Sequence, residues 1–154
     1  MSDILKPETP EQVLEAVKWA AAEETPLQIK GAGTKAELGR PMGDVQTLDL
    51  SQLSGITFYE PAELVLSAAA ATPMAGIRLA LAEHNQQLAF EPPDLGRLLG
   101  SRPDAATLGG TLACNLAGPR RIKAGAARDH FLGFNAVSGR GEVFKSGSRV
   151  VKNV

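Results

Sequence analysis

The chain has 154 residues, 44% hydrophobic and 21% charged, with a net charge of −1; these values exclude a disordered polymer and allow a domain with its own core. Aromatic side chains make up 5%, which argues against base-stacking platforms and hence against a nucleic-acid partner, and the single cysteine, Cys114, excludes an internal disulfide framework or a multi-cysteine zinc site. The longest small-apolar run, 64–71, is too short to cross a membrane and the N-terminal residues carry no apolar signal region, so the expected setting is reducing and cytoplasmic.

Thr9-Pro10-Glu11-Gln12 reads as a helix start: Thr9 caps, Pro10 takes the first helical position and Gln12 completes a capping box. Val13, Ala16, Val17, Ala20 and Ala21 follow at helical spacing as a core-facing stripe. Pro26 ends this segment, and Leu27–Lys30 alternates as a short strand that runs directly into Gly31-Ala32-Gly33-Thr34-Lys35. Further strands are predicted over 45–50, 56–60 and 64–68, with a turn at Pro61-Ala62. Thr72-Pro73 opens a second helix to about Asn85, with Met74, Ile77 and Leu81 on one face. Glu91-Pro92-Pro93-Asp94 must be irregular. A turn-rich stretch covers 100–125 with a short helix near Leu112. Strands at 134–138 and 142–145 flank Gly139-Arg140-Gly141 as a hairpin, and a last strand begins over 148–153. The pattern is βαβ at the front and mostly β at the back. It implies an α+β fold in two lobes: an α/β lobe over 1–55 and a mostly antiparallel lobe with helices over 56–154.

Charge is uneven along the chain. Residues 1–63 hold 5 basic and 11 acidic side chains, residues 64–117 hold 3 and 4, and residues 118–154 hold 8 and 2. The last quarter is thus a candidate surface for an anion, a subunit contact or a plain solvated face.

Two segments carry chemistry. In Gly31-Ala32-Gly33-Thr34-Lys35 a strand ends in glycines, which let backbone N–H groups converge on an anion, while Thr34 adds a hydroxyl and Lys35 a charge. The pattern is neither the G-x-G-x-x-G fingerprint followed by a helix nor a phosphate loop ending in G-K-[ST]. Taken alone, a plain strand-exit turn is the better explanation of it. The second segment, 105–118, is nearly uncharged and rich in small residues, as expected of backbone approached closely by a ligand or packed tightly on itself. Thr107, Thr111 and Asn115 recur every four residues, and Arg120 and Arg121 follow. His130 beside Asp129 reads as structural, because neighbours on a strand point to opposite faces. His84 reads as a helix-end charge and Cys114 as a packed small hydrophobe. No carboxylate pair and no His-Cys-Asp grouping has catalytic or metal-ligand spacing, so neither a catalytic nor a metal-binding residue is expected.

The order strand-G-x-G-T, then P-P-D with A-T-L-G-G-x-x-A-x-N-x-x-G, then R-D-H-x-L-G resembles the FAD-binding domain of the vanillyl-alcohol oxidase, or p-cresol methylhydroxylase, type across essentially the whole chain. Gly39-Arg40-Pro41 and 116–121 are most similar to the FAD-binding subunits of bacterial glycolate oxidases. The resemblance implies a two-lobed FAD-binding domain, truncated at its C-terminal side, whose substrate domain lies outside this chain. It implies a first diphosphate loop of Gly31, Ala32, Gly33, Thr34 and Lys35, and a second of Thr107, Leu108, Gly109, Gly110, Ala113, Asn115 and Gly118. Pro93 falls in the stretch that passes close to the flavin, and Arg128-Asp129-His130 in the segment leading to a strand. Thr34 and Lys35 stand where some members carry a flavin-tethering His, so FAD is expected to be noncovalent.

The implied reaction is oxidation of glycolate or another short 2-hydroxy acid, with a second flavin subunit and an iron–sulfur subunit as partners. The implied location is cytoplasmic, or peripheral at the inner membrane through those partners. Two other readings stay open: a different flavin oxidoreductase on the same domain, or a noncatalytic interaction module whose glycines serve packing.

Overall fold

The computed structural model describes residues 4–43 and 45–148. Helix α1 spans Pro10–Ala22. Thr9 Oγ1 accepts the Gln12 N–H at 3.3 Å, and Pro10 sits in the first turn, where a missing N–H costs nothing. The capping box forms in altered shape: Gln12 Oε1 takes the Glu8 N–H at 2.7 Å, one residue upstream of the cap. Val13, Ala16 and Val17 are half-buried and Ala20 is buried, whereas Ala21, at the edge of the predicted stripe, is exposed.

Strands β1 (Leu27–Lys30) and β2 (Gln46–Asp49) pair in parallel, from Leu27 opposite Gln46 to Lys30 opposite Asp49. Parallel neighbours need a long crossover, usually helical. Here residues 31–45 make it without a helix. Leu5 lines the other edge of β2, its N–H donating to Thr47 O at 2.9 Å and its carbonyl accepting from Asp49 N–H at 2.8 Å. The expected βαβ is therefore Leu5, α1 and β1, with β2 inserted between the two extended pieces. Leu48, 1% exposed, is the core residue of this sheet.

Strands β3 (Ile56–Glu60) and β4 (Val65–Ala68) form an antiparallel pair around a 3₁₀ turn at Pro61–Glu63. Helix α2 spans Met74–Ala82. It opens directly after Thr72-Pro73, as expected, with no side-chain cap. Thr72 instead knots the chain, its hydroxyl accepting the Gly55 N–H at 2.9 Å and lying 2.7 Å from Ala69 O. The Met74 N–H is satisfied by Ala106 O at 2.8 Å. The helix closes where the spacing predicts, through a Schellman turn: Gln86 N–H reaches Leu81 O, Asn85 N–H reaches Ala82 O, and Asn85 is left-handed at φ 54°. Met74, Ile77, Leu81 and Ala106 form a buried cluster, with Tyr59, Leu66, Ala68, Leu88 and Leu108 packed against it. Helices α3 (Leu108–Ala113) and α4 (Arg121–Ala124) and a 3₁₀ turn at Ala127–His130 complete this part.

Strands β5 (Gly133–Val137) and β6 (Val143–Gly147) form the predicted hairpin. Of its turn glycines only Gly141 is left-handed, at φ 71°, and a Cβ there would lie 2.6 Å from Lys18 Cγ. Glycine is thus required where the hairpin meets α1. The strand expected over 148–153 lies outside the described residues beyond Ser148.

Contacts group the chain into two units that are not consecutive lobes. One holds the described residues of Met1–Lys30, Met42–Leu53 and Leu132–Val154; the other holds Gly31–Pro41 and Ser54–Phe131. The predicted boundary at 55 lies close to one of the four crossings; those after 30 and 41 follow from the β1–β2 pairing, and that after 131 from the packing of β5 on α1. No helix among the described residues is long and apolar enough to cross a membrane.

Candidate functional site

Both glycine segments fall in the second unit. In the first, Gly33 is left-handed at φ 69°, which turns the chain sharply after β1. The carbonyls of Gly33 and Lys35 accept from Ala36 and Leu38. The N–H groups of Ala32, Gly33, Thr34 and Lys35 donate to no backbone acceptor among the described residues. Thr34 is buried and its carbonyl accepts from Ser101 Oγ at 3.4 Å. Lys35 is half-buried, with Nζ 3.4 Å from Thr34 Oγ1.

The second segment is arranged differently from the expected row of free donors. Leu108 N–H donates to Thr72 O at 2.9 Å and Gly109 N–H to Ala70 O at 2.7 Å. A Cβ on Gly109 would lie 2.9 Å from that same Ala70 oxygen. Gly118 N–H donates to Phe90 O, and a Cβ there would lie 2.8 Å from Glu91 O. These two glycines are small because backbone packs on them from inside the fold, and their N–H groups are already used. Thr107 Oγ1 caps α3 by accepting the Gly110 N–H at 3.3 Å. Thr111 is 0% exposed and its Oγ1 has no hydrogen-bond partner among the described residues. Asn115, left-handed at φ 47°, uses Oδ1 to take the Arg128 N–H at 3.0 Å. Thr107 and Asn115 thus have separate tasks, and the Thr111 hydroxyl is buried without a partner among the described residues. Ala113 is exposed, and so is Cys114, at the far end of α3 rather than packed as expected.

The segments meet at Gly31, Thr107, Gly110 and Lys35. A Cβ on Gly31 would lie 3.2 Å from Thr107 Oγ1; one on Gly110 would lie 3.2 Å from the same oxygen and 3.4 Å from Lys35 Nζ. Both glycines let the two segments approach closely, because a Cβ at either would press on Thr107. Among the described residues Lys35 has no carboxylate at ion-pair distance. A half-buried ammonium without a counter-charge, beside a run of unused amides, fits a small oxyanion such as a diphosphate linker.

Pro93 is half-buried and outside this meeting point. Its link to the first segment is indirect. Asp94 takes the Asp104 N–H at 2.8 Å and the Gly96 N–H at 3.0 Å, and Ser101 in the same loop reaches Thr34. The N–H of Asp104, then that of Gly96, hold the Asp94 carboxyl below the ordinary carboxylate range, with Arg78 and Arg97 adding attraction. The sequence reading missed this brace, although Asp94-Leu95-Gly96 is an Asx-turn signal. It also missed Glu91, for which no local pattern exists. His130 lies on a 3₁₀ turn, not a strand: its Nε2 is 2.7 Å from Ala124 O and its ring packs on Phe90. His84 lies past the end of α2, edge-on to the Tyr59 ring. The described residues contain no group of His, Cys, Asp and Glu able to hold a metal.

The sequence profile of the FAD binding domain family matches residues 2–147. Glycolate oxidase subunit GlcE of Escherichia coli strain K12 is 44% identical over 142 residues, covering 92% of this chain and 38% of that protein. A D-lactate dehydrogenase of Archaeoglobus fulgidus is 29% identical, covering 97% of this chain and 32% of that protein. The chain therefore spans about a third of the length of these relatives. Among solved structures, Phl p 4.0202, a glucose dehydrogenase, superposes with TM-score 0.74 at 15% identity, covering 93% of this chain and 28% of that one. An alkyldihydroxyacetonephosphate synthase superposes with TM-score 0.69 at 18% identity over 95% of this chain and 26% of that one. These two share the fold. FAD is accordingly the cofactor that the chain's residues must accommodate.

Proposed function

The chain belongs to the FAD binding domain family, and from that premise we propose that it is the flavin-holding part of an oxidoreductase acting on short 2-hydroxy acids, glycolate first. The observation that carries the reading is Lys35, uncompensated and set against Gly110 where the two glycine segments converge. The substrate class is supported by two relatives whose names specify glycolate and D-lactate, both 2-hydroxy acids. When bound, FAD supplies the acceptor for a hydride from the substrate carbon.

The residues of this chain bind and orient. The amides of Ala32, Gly33, Thr34 and Lys35 and the Lys35 ammonium hold the diphosphate. Gly31 and Gly110 let the first segment and Lys35 come close to Thr107. Thr107, Leu108, Gly109, Ala113, Asn115 and Gly118 shape the second wall by fixing backbone, and Pro93 borders the flavin. No substrate-proton role is assigned to the described residues. The partners are the other subunits of a glycolate oxidase, a second flavin subunit and an iron–sulfur subunit, and the setting is cytoplasmic or peripheral at the inner membrane.

The test is equilibrium binding of FAD to the full chain. Lys35→Ala is expected to raise Kd about tenfold or more, the worth of a hydrogen bond to a charged group. Equal affinity of variant and parent would remove Lys35 from the site. Acid treatment is expected to release unmodified flavin; flavin retained on denatured chain would refute noncovalent attachment. In the assembled enzyme, anaerobic bleaching by glycolate identifies the substrate, and bleaching by D-lactate alone would reassign it.

A further inference from the structure

The segment that enters Pro92-Pro93 crosses the exit of the second glycine segment at contact distance. Phe90 O accepts the Gly118 N–H at 2.9 Å, and Glu91 O lies 2.8 Å from where a Gly118 Cβ would stand. The Glu91 side chain then returns over the same place. Its Oε2 accepts the Arg120 N–H at 3.2 Å, and its Oε1 lies 3.5 Å from Arg120 Nη1. Glu91 is left-handed at φ 48°, a conformation that residues other than Gly, Asn and Asp rarely adopt. A position with that backbone favours glycine or asparagine unless the side chain itself is needed.

We propose that Glu91 is a positioning residue of the flavin site: a latch that fixes Pro92-Pro93 against the exit of the second glycine segment. The inference rests on the reading of this chain as a flavin-holding domain. Phe90, buried and packed on the His130 ring, gives the latch a rigid base. An exposed ion pair contributes little by itself. The directional contact is the Arg120 N–H, because a backbone donor cannot swing away. Releasing it frees Pro92-Pro93 on one side and residues 118–120 on the other. The end of the second glycine segment would then be held by the Gly118 N–H on Phe90 O and by Asn115 Oδ1 on the Arg128 N–H, without the Glu91 contact at residue 120.

The experiment uses the full chain and three variants, reading FAD Kd, the fine structure of the blue absorption band and thermal unfolding. Glu91→Gln keeps an acceptor of the same reach and is expected to match the parent in both flavin readouts. Glu91→Asp keeps the charge and tolerates the left-handed backbone, but is too short to reach Arg120 N–H. It is expected to raise Kd about tenfold, the worth of one charge-assisted hydrogen bond, and to blur the band. Glu91→Ala should match Glu91→Asp. If Glu91→Ala does not fold, Glu91→Asp against Glu91→Gln still decides. Glu91→Asp with parental Kd and spectrum overturns the latch, as does Glu91→Gln as damaged as Glu91→Asp. A parent chain that ignores FAD overturns the flavin reading itself, which keeps the two failures distinct.

Discussion

Gly31→Ala and Gly109→Ala should separate two reasons for having no side chain. At Gly109 the new methyl meets the Ala70 carbonyl at 2.9 Å and the Ala70 Cβ at 3.0 Å, so backbone must shift. The expected cost is about 1–3 kcal/mol of stability, as for other overpacked sites, seen as a lower melting temperature with or without FAD. At Gly31 the neighbour is the Thr107 hydroxyl at 3.2 Å, which caps α3 and need give by only a few tenths of an ångström. Stability should fall less than at Gly109, while FAD affinity falls several-fold, because the meeting point of the two segments is displaced. Equal loss of affinity in both variants would contradict this division. The two glycines look alike in sequence, since absence of a Cβ leaves the same letter whether a ligand or the fold occupies the space. That is why Gly109 and Gly118 were read with the diphosphate. Asp94 gives a pH prediction at the same scale. Its carboxyl is held below the ordinary range by the Asp104 and Gly96 N–H groups, so the folded pKa lies under the unfolded one. The stabilisation is complete above the unfolded value of about 4 and fades as pH falls through the folded value. Asp94→Asn should therefore melt below the parent at neutral pH, and the gap should close in acid. A gap that widens toward low pH would give the shift the opposite sign.

Elements that earn their place by burial were legible; those held only by hydrogen bonds were not. Met74, Ile77 and Leu81 recur at helical spacing, and α2 buries all three. Ile77 is 1% exposed, so Ile77→Ala should cost about 2–5 kcal/mol, read as a lower urea midpoint at unchanged slope. FAD affinity measured well below that midpoint should stay near parental, because the cluster reaches the second glycine segment through Ala106 and Leu108 and not at Gly31, Lys35 or Gly110. A loss under half a kilocalorie, on the order of a surface substitution, would move Ile77 out of the core. The two hairpins were legible for a similar reason, since alternation plus a turn signal specifies an antiparallel pair. Helix α4 had no such signal. Its only large apolar residue, Ile122, is 96% exposed, and the turn is made by Lys123 and Ala124 N–H on Arg120 O and Gly125 N–H on Arg121 O. The 3₁₀ turn carrying His130 was missed likewise. The capping box at Thr9 was half legible: Thr9 acts as read, while Gln12 chooses Glu8 N–H, one residue before the cap.

At the scale of the whole molecule, local punctuation suggested a cut near Leu53-Ser54-Gly55, giving pieces 1–55 and 56–154. Pairing at long range gives another division. The unit containing α1, β1 and β2 also contains β5 and β6, and residues 31–41 leave it for the other unit. A piece ending at residue 55 keeps α1 but loses the hairpin whose Gly141 lies against Lys18. It also separates Gly31–Lys35 from Thr107 and Gly110, so neither piece holds both glycine segments. A 55-residue chain lacking part of its packing surface falls in the range where a core is marginal even when complete. Residues 1–55 produced alone should therefore show no cooperative melt by circular dichroism, and residues 56–154 alone should not bind FAD. Mixing the two should restore both signals if the interrupted topology is what couples them. A sharp melt of 1–55 in isolation would show that α1, β1 and β2 are self-sufficient, and that the consecutive division read from turn residues describes the folding units better than the contacts do.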